Sequence, residues 1–177
     1  LAGRADIELI PGDVFNLVEL PQRTQYIIHA AASPDNRQHV SDPLRTIRTI
    51  VSGTQVVMDA ASRLPDLRRI LNVSSGLVYG AKPIEAEAIG ERSFGGIDSS
   101  SIANVYAEAK RMAEPIASAY RSQYRLPVVT VRPFSFVGPY QSLERPWAIN
   151  NFIRDALHGG PVRIQGDGKT MRGYMYG

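Results

Sequence analysis

The 177-residue chain contains no cysteine, which excludes a disulfide framework and thiolate chemistry and agrees with a cytoplasmic setting. It has no apolar stretch of membrane-spanning length, and its first residues lack a basic-then-apolar leader. No membrane partner is therefore expected. Its net charge of +3 comes mostly from scattered arginines, with no basic run interleaved with aromatics. Anionic small molecules are favoured over nucleic acid as partners. The apolar share of 44% and charged share of 21% describe an ordinary globular chain, long enough for one domain with a core.

Short β-rich runs alternate with helical patterns, the signature of a parallel sheet with helices on both faces. Ile7 to Ile10 and Tyr26 to Ala30 read as strands. Asp42-Pro43 offers an N-cap and a first-turn proline. Leu44, Ile47, Val51, Met58, Ala61 and Leu64 then carry an apolar stripe until Pro65. Arg69 to Val73 reads as the next strand, with Ser74-Ser75 at its C-terminal edge, where open α/β sheets bind ligands. The Gly-, Pro-, Ser- and Glu-rich stretch between Tyr79 and Ser101 reads as a long surface loop able to cover a substrate. A helix follows, with Pro115 expected to kink it; then the strand Pro127 to Val131, a passage at Gly138-Pro139, and a helix opened by Pro146-Trp147 and closed by Gly159-Gly160. The apolar face of that last helix is Ile149, Phe152, Ile153, Ala156 and Leu157.

The chemistry concentrates in two runs, Leu71-Asn-Val-Ser-Ser-Gly-Leu-Val-Tyr-Gly80 and Val105-Tyr-Ala-Glu-Ala-Lys110. On a helix, Tyr106 and Lys110 share a face one turn apart. A cation about 4 Å from the phenol is worth roughly 4 kcal/mol at an effective dielectric of 20, or about 3 pK units. Such a tyrosine could exchange a proton with a sugar hydroxyl while a cofactor takes hydride. A tyrosine four residues before a lysine is more often a solvated pair; the weight comes from the ordered set around it. That set is Pro11-Gly-Asp13, Tyr26-Ile-Ile-His-Ala-Ala-Ala32, Gly53-Thr54, Ser74-Ser75, the Tyr/Lys pair, Val131-Arg-Pro-Phe-Ser-Phe-Val-Gly-Pro139 and Ile164-Gln-Gly-Asp-Gly-Lys-Thr-Met-Arg172.

From about Ile7 to the last residue, this order resembles the extended short-chain dehydrogenase/reductase family, specifically its NAD-dependent nucleotide-sugar epimerases and dehydratases. The resemblance implies an α/β Rossmann-like doubly wound parallel sheet over residues 1–138, incomplete here, leading into a smaller substrate-binding lobe from 139 to 177. It implies NAD as cofactor, with NADP left open, a nucleotide-diphosphate sugar as substrate, and room for a homodimer. The Gly-rich dinucleotide fingerprint is nowhere in the chain. The expectation is therefore an internal piece of a larger enzyme, with Ile7 to Ile10 as third strand, a βαβ unit of roughly 30 residues or more before Leu1, a gapped sheet, and weak or no cofactor binding by the piece alone.

Carried over position by position, Ser75, Tyr106 and Lys110 are the catalytic set, with Lys110 also holding the nicotinamide ribose. Cofactor contacts fall to Asp13 (adenine amino group) and Val14, to Ala30, Ala31 and Ala32 where backbone passes close, and to Ser74, Tyr106, Lys110 and Pro133. Substrate contacts fall to Ser75, Ser135, Asn150, Asn151 and the diphosphate-binding Arg172. Alternatives remain for several: a turn-forming Asp13, tight packing at the alanines, a Ser75 that satisfies backbone, solvent-facing Asn150 and Asn151. His29 reads as packed core rather than catalyst.

The chain departs from the family pattern at Gln25, Ile50, Ser135, Gln165 and Gly173, and most usefully after Ser75. There 4,6-dehydratases carry an Asp-Glu pair and UDP-glucuronate decarboxylases a Glu before the Tyr-Gly step; this chain has Gly76 and Leu77. Without those carboxylates the reading is a nucleotide-sugar 4-epimerase. A 4-ketoreductase is its nearest rival, and a non-catalytic binding module the rival from another class.

Overall fold

The computed structural model describes residues 4–17, 19–33, 35–80 and 88–177. Residues 1–132 cluster as one unit and 133–177 as a second. In the first unit, β1 (Tyr26–His29), β2 (Arg69–Val73) and β3 (Val128–Val131) form a parallel sheet in that order. The register aligns Ile27 with Ile70 and Val128, and His29 with Asn72 and Thr130.

Period-2 alternation puts those residues on one face of the sheet. Helices α3 (Gly53–Ala61) and α4 (Val105–Tyr124) cover that face, and Met58, Ala61, Ile70, Ala117, Leu126 and Val128 form the core between them. On the other face Tyr26, Ile28, Val129 and Val131 are exposed. Among the described residues the helices therefore lie on one face, not both. The expected strand at Ile7 to Ile10 does not form. A strand exists through hydrogen bonds to a neighbour, and among the described residues no strand pairs with this run; Leu9 and Ile10 are exposed. The three strands that do form are adjacent, without a gap.

Helix α1 (Asn36–Ser41) precedes α2 (Pro43–Ile47), which opens as expected: the Asp42 carboxylate accepts from the Arg45 amide, and Pro43 sits in the first turn. A π-helical segment, Arg48–Ser52, joins α2 to α3. Its wider turn changes which side chains face inward. Leu44 and Ile47 are exposed, 77% and 40%, although the periodic stripe would bury them. Thr46, Ile50, Thr54 and Val57 are buried instead, while Met58, Ala61 and Leu64 of the stripe are buried as expected. Gly53 lets the chain pass close: a Cβ there would stand 2.8 Å from Val14 Cγ1.

Helix α4 runs unbroken through Pro115. The stretch read as a covering loop includes residues 81–87, which lie outside the described residues; its described part is anchored, with Gly95 N donating to Tyr79 O at 2.7 Å. Gly80 has φ +72, and a Cβ there would come within 2.8 Å of the Gly96 carbonyl.

In the second unit, β4 (Ser135–Val137) pairs in parallel with β5 (Tyr174–Tyr176), and α5 (Ala148–Leu157) lies between them in sequence. Its C-terminus is closed by Gly159 at φ +70, whose amide donates to Ala156 O.

Candidate active site

The C-terminal end of β2 and the first two turns of α4 bring Ser75, Tyr106 and Lys110 together. Ser75 caps a 3₁₀ turn, Gly76–Tyr79, by accepting from the Leu77 amide at 3.2 Å. Its side chain lies near enough to the Tyr106 phenol to lower that group's pKa. Lys110 is 5% exposed, and its Nζ donates to the Val73 carbonyl at 2.7 Å. The ammonium is thus directed at the strand end, 5.9 Å from the centre of the Tyr106 ring.

That placement corrects the expected acidity of the phenol. Burial raises the Tyr106 pKa above the ordinary value, and the nearby Ser75 side chain only partly opposes it. The same burial pulls Lys110 down from 10.5 to about 8. Desolvation disfavours both charged forms. The earlier estimate assumed an ammonium about 4 Å from the phenol in a moderately polar medium.

Asp13, Ala32, His39, Thr46, Thr49 and Ile50 are among the residues lining a cavity of about 520 Å³. Asp13 lies 3.8 Å from Arg45 in an ion pair, and Val14 packs on Gly53. Ala31 and Ala32 are half-buried and Ala30 is exposed. His29, 6% exposed, bonds Thr54 Oγ1 at 3.1 Å. Thr54 gives its hydroxyl hydrogen to the Ile50 carbonyl, so His29 Nε2 is the donor. Burial, aided by the Lys110 charge, lowers its pKa to about 4. His29 is a neutral core residue.

Ser74 is 2% exposed and donates its hydroxyl to Glu114 Oε1 at 2.6 Å. That hydrogen is committed inside the protein. Arg132 forks onto Glu114 at 2.8 and 2.6 Å, donates to Glu91 O at 2.7 Å, and lies over the Tyr79 and Phe94 rings. Arg111 adds bonds to Val78 O and Gly95 O. Burial pushes the Glu114 carboxyl up, but the Arg132 and Ser74 hydrogen bonds outweigh it and hold the group below its ordinary value.

Glu114 was missed in the sequence, although Tyr106, Lys110 and Glu114 repeat at i, i+4 and i+8 on one helix face. His39, which stacks on Tyr106 with ring centroids 4.4 Å apart, has no such signal.

The substrate candidates belong to the second unit. Asn150 is fully buried; its amide nitrogen donates to the Ser142 and Arg145 carbonyls and its oxygen accepts from Gln141. Both donor hydrogens shape the preceding loop, which corrects the idea of Asn150 as a phosphate donor. Asn151 accepts from Arg154. Pro133 and Ser135 are half-buried, Ser135 in register with Tyr174. Arg172 is exposed and, among the described residues, reaches its neighbour's carbonyl, Met171 O, at 3.5 Å. Among the described residues no cluster of three potential metal ligands occurs, and no helix is long and apolar enough to cross a membrane.

The chain is 30% identical over 96% of its length to a trifunctional UDP-glucose 4,6-dehydratase/UDP-4-keto-6-deoxy-D-glucose 3,5-epimerase/UDP-4-keto-L-rhamnose-reductase of Arabidopsis thaliana, spanning 24% of that protein. It is 30% identical over 98% of its length to UDP-glucuronic acid decarboxylase 5 of the same organism, spanning 49% of it. The chain therefore spans half or less of these relatives. A UDP-glucuronic acid 4-epimerase from Bacillus cereus, solved with UDP-glucuronic acid and NAD, superposes with a TM-score of 0.71 at 25% identity, over 93% of this chain and 48% of that one. Residues 3–177 match the model of the NAD dependent epimerase/dehydratase family, and the chain belongs to that family.

Proposed function

We propose that this chain carries the catalytic centre of an NAD-using nucleotide-sugar 4-epimerase. The observation that carries the reading is Lys110 seated at the end of β2, its Nζ on the Val73 carbonyl and 5.9 Å from the Tyr106 ring centre, with Ser75 near enough to lower the Tyr106 pKa, unaccompanied by an acid at positions 76 and 77. Tyr106 takes the proton of the sugar's carbon-4 hydroxyl and later returns it. Ser75 orients that hydroxyl, and Lys110, when protonated, favours the phenolate.

The residues fit a dinucleotide: Asp13 and Ala32 border a cavity of about 520 Å³. When bound, NAD supplies the hydride acceptor and a positive ring charge that opposes the burial penalty on the phenolate. Asp13 would meet the adenine amino group, Val14, Ala30, Ala31 and Ala32 would flank the dinucleotide, and Lys110 would hold the ribose. Pro133, Ser135, Asn151 and Arg172 remain the candidates for cofactor and substrate contacts in the second unit.

Loss of water or carbon dioxide from the sugar is disfavoured for a second reason. The carboxylate tied to this strand end, Glu114, is already engaged by Arg132 and Ser74. A 4-ketoreductase would use the same three side chains, and a reductase activity stands in the name of the trifunctional relative.

Incubation of the full-length protein with a panel of UDP- and dTDP-sugars and NAD, with products followed by mass and by NMR of the anomeric region, tests the proposal. A product of unchanged mass with inverted carbon 4 is expected. A product lighter by water or carbon dioxide overturns it, and net conversion of NAD to NADH with a 4-ketosugar as product, the reductase running in reverse, identifies the reductase.

A further inference from the structure

Helix α1 buries a single side chain, His39, at 4% exposure. That imidazole lies on the Tyr106 ring, centroids 4.4 Å apart and planes 27° from parallel. It is held at its edge: Nδ1 lies 3.2 Å from Thr46 Oγ1, whose own hydrogen goes to the Asp42 carbonyl at 3.1 Å. Thr46 can then only accept, so Nδ1 carries the proton. Thr46 is itself 8% exposed. Asp42 caps α2, which ties the ring to a fixed helix start.

We propose that His39 is a positioning residue for Tyr106: its anchored ring walls one face of the phenol, stops it swinging away from Ser75, and keeps water off that face. The physical reason lies in how a tyrosine moves. Rotation about χ1 carries the hydroxyl through an arc, and a flat neighbour in van der Waals contact blocks one side of it. The ring plane also matters, because a phenolic O–H prefers that plane, so fixing the plane fixes where the proton and lone pairs point. A sub-ångström loss of aim at such a group can cost up to about 10²-fold in rate. The other groups that face the imidazole are the Ser33 backbone, Asp35 and Lys110. Burial, the largest influence, holds it neutral at pH 7, the Ser33 backbone and Asp35 partly opposing and Lys110 adding to the effect. The wall therefore adds no charge beside the phenol.

The inference rests on the epimerase reading only for its turnover arm, and the test separates the two. In the 177-residue chain with ¹³Cζ-labelled tyrosine, the Tyr106 signal is assigned by its absence in Tyr106→Phe and followed on alkaline titration. In the wild type it should titrate above an ordinary tyrosine. In His39→Ala, where water reaches the ring, it should fall toward the ordinary range, whereas His39→Phe should keep the wild-type midpoint. Thr46→Val, which removes the anchor at Nδ1 and lets the imidazole swing off the phenol, should move the midpoint in the same direction as alanine. An unchanged midpoint in His39→Ala, or an equal fall in His39→Phe, overturns the proposal. Should His39→Ala fail to fold, identical titration of Thr46→Val and the wild type overturns it.

In the full-length enzyme, on the nucleotide sugar that it epimerises, His39→Ala should lower kcat about 10- to 100-fold with KM nearly unchanged, and His39→Phe should restore most of the loss. A moved Tyr106 titration with no turnover on any nucleotide sugar supports the wall and removes the epimerase reading. Turnover with an unmoved titration does the reverse.

Discussion

Lys110→Met gives a stability prediction that needs no substrate. Lys110 is 5% exposed, and burial pulls its pKa from 10.5 to about 8. A shift of that size corresponds to about 3 kcal/mol at 1.36 kcal/mol per unit. For a cation whose folded pKa is lowered, the sign is a cost. Below about pH 8 both states hold the proton and the full penalty stands. Between about pH 8 and 10.5 the unfolded chain binds more protons than the folded one, so stability rises with pH as the penalty fades. Methionine has nearly the same length and no charge. It relieves the penalty but leaves the Val73 carbonyl, now 2.7 Å from Nζ, without that donor, at about 1–3 kcal/mol. The variant should equal or exceed the wild type by up to about 2 kcal/mol at pH 7 and lose that lead by pH 10.5. Urea unfolding of both proteins at half-unit pH steps measures this, and the difference between the two curves should change by about 3 kcal/mol across the window. Tyrosines that titrate in the same range are common to both and cancel. Parallel curves would refute a desolvated Lys110, whatever the offset between them.

Tyr106→Phe in the full-length protein should lower turnover by at least about 10²-fold, the usual effect of a lost general acid/base, while NAD affinity stays within a few fold; undiminished turnover would remove Tyr106 from the mechanism. Glu114→Gln should destabilise the fold by about 2–4 kcal/mol, because the Arg132 fork and the Ser74 bond lose their anionic acceptor. The folded Glu114 pKa lies below its ordinary 4.5, so this contribution is present above that pH and fades as the pH falls through the lowered value; thermal unfolding with an unchanged midpoint at pH 7 would show the network to be without energetic weight. Arg172→Lys should weaken binding of a nucleoside diphosphate by roughly 1–2 kcal/mol, a 5- to 30-fold rise in Kd, by loss of the planar fork. Arg163→Lys is the comparison, since that guanidinium is already held by Asp155 Oδ1 at 2.8 Å; equal effects in calorimetric titration would make Arg172 part of a general basic surface.

Much of this was readable along the chain because it depends on neighbours in sequence. Asp42-Pro43 starts a helix through a cap closed three residues on, Arg69 to Val73 is a strand by composition, and Tyr106 and Lys110 share a helix face by the geometry of one turn. The family order of motifs adds the site: Ser75 at a strand end and Tyr106 on a helix are separate facts until the fold joins them.

What only the tertiary structure decided involves partners far apart in sequence, or geometry that a period does not encode. The π-helical Arg48–Ser52 turned Ile50 and Thr54 inward and left Leu44 and Ile47 outside, a shift that a 3.6-residue stripe cannot express. Ile7 to Ile10 had strand composition, but a strand needs a neighbour's hydrogen bonds, and that neighbour is not a property of four residues. Asn150 looked like a surface donor until its amide closed on two backbone carbonyls. The acidity of Tyr106 went the opposite way from the local estimate, because spacing gives the nearness of Lys110 whereas burial, set by the whole packing of α1, α2 and α4, decides what charge costs there.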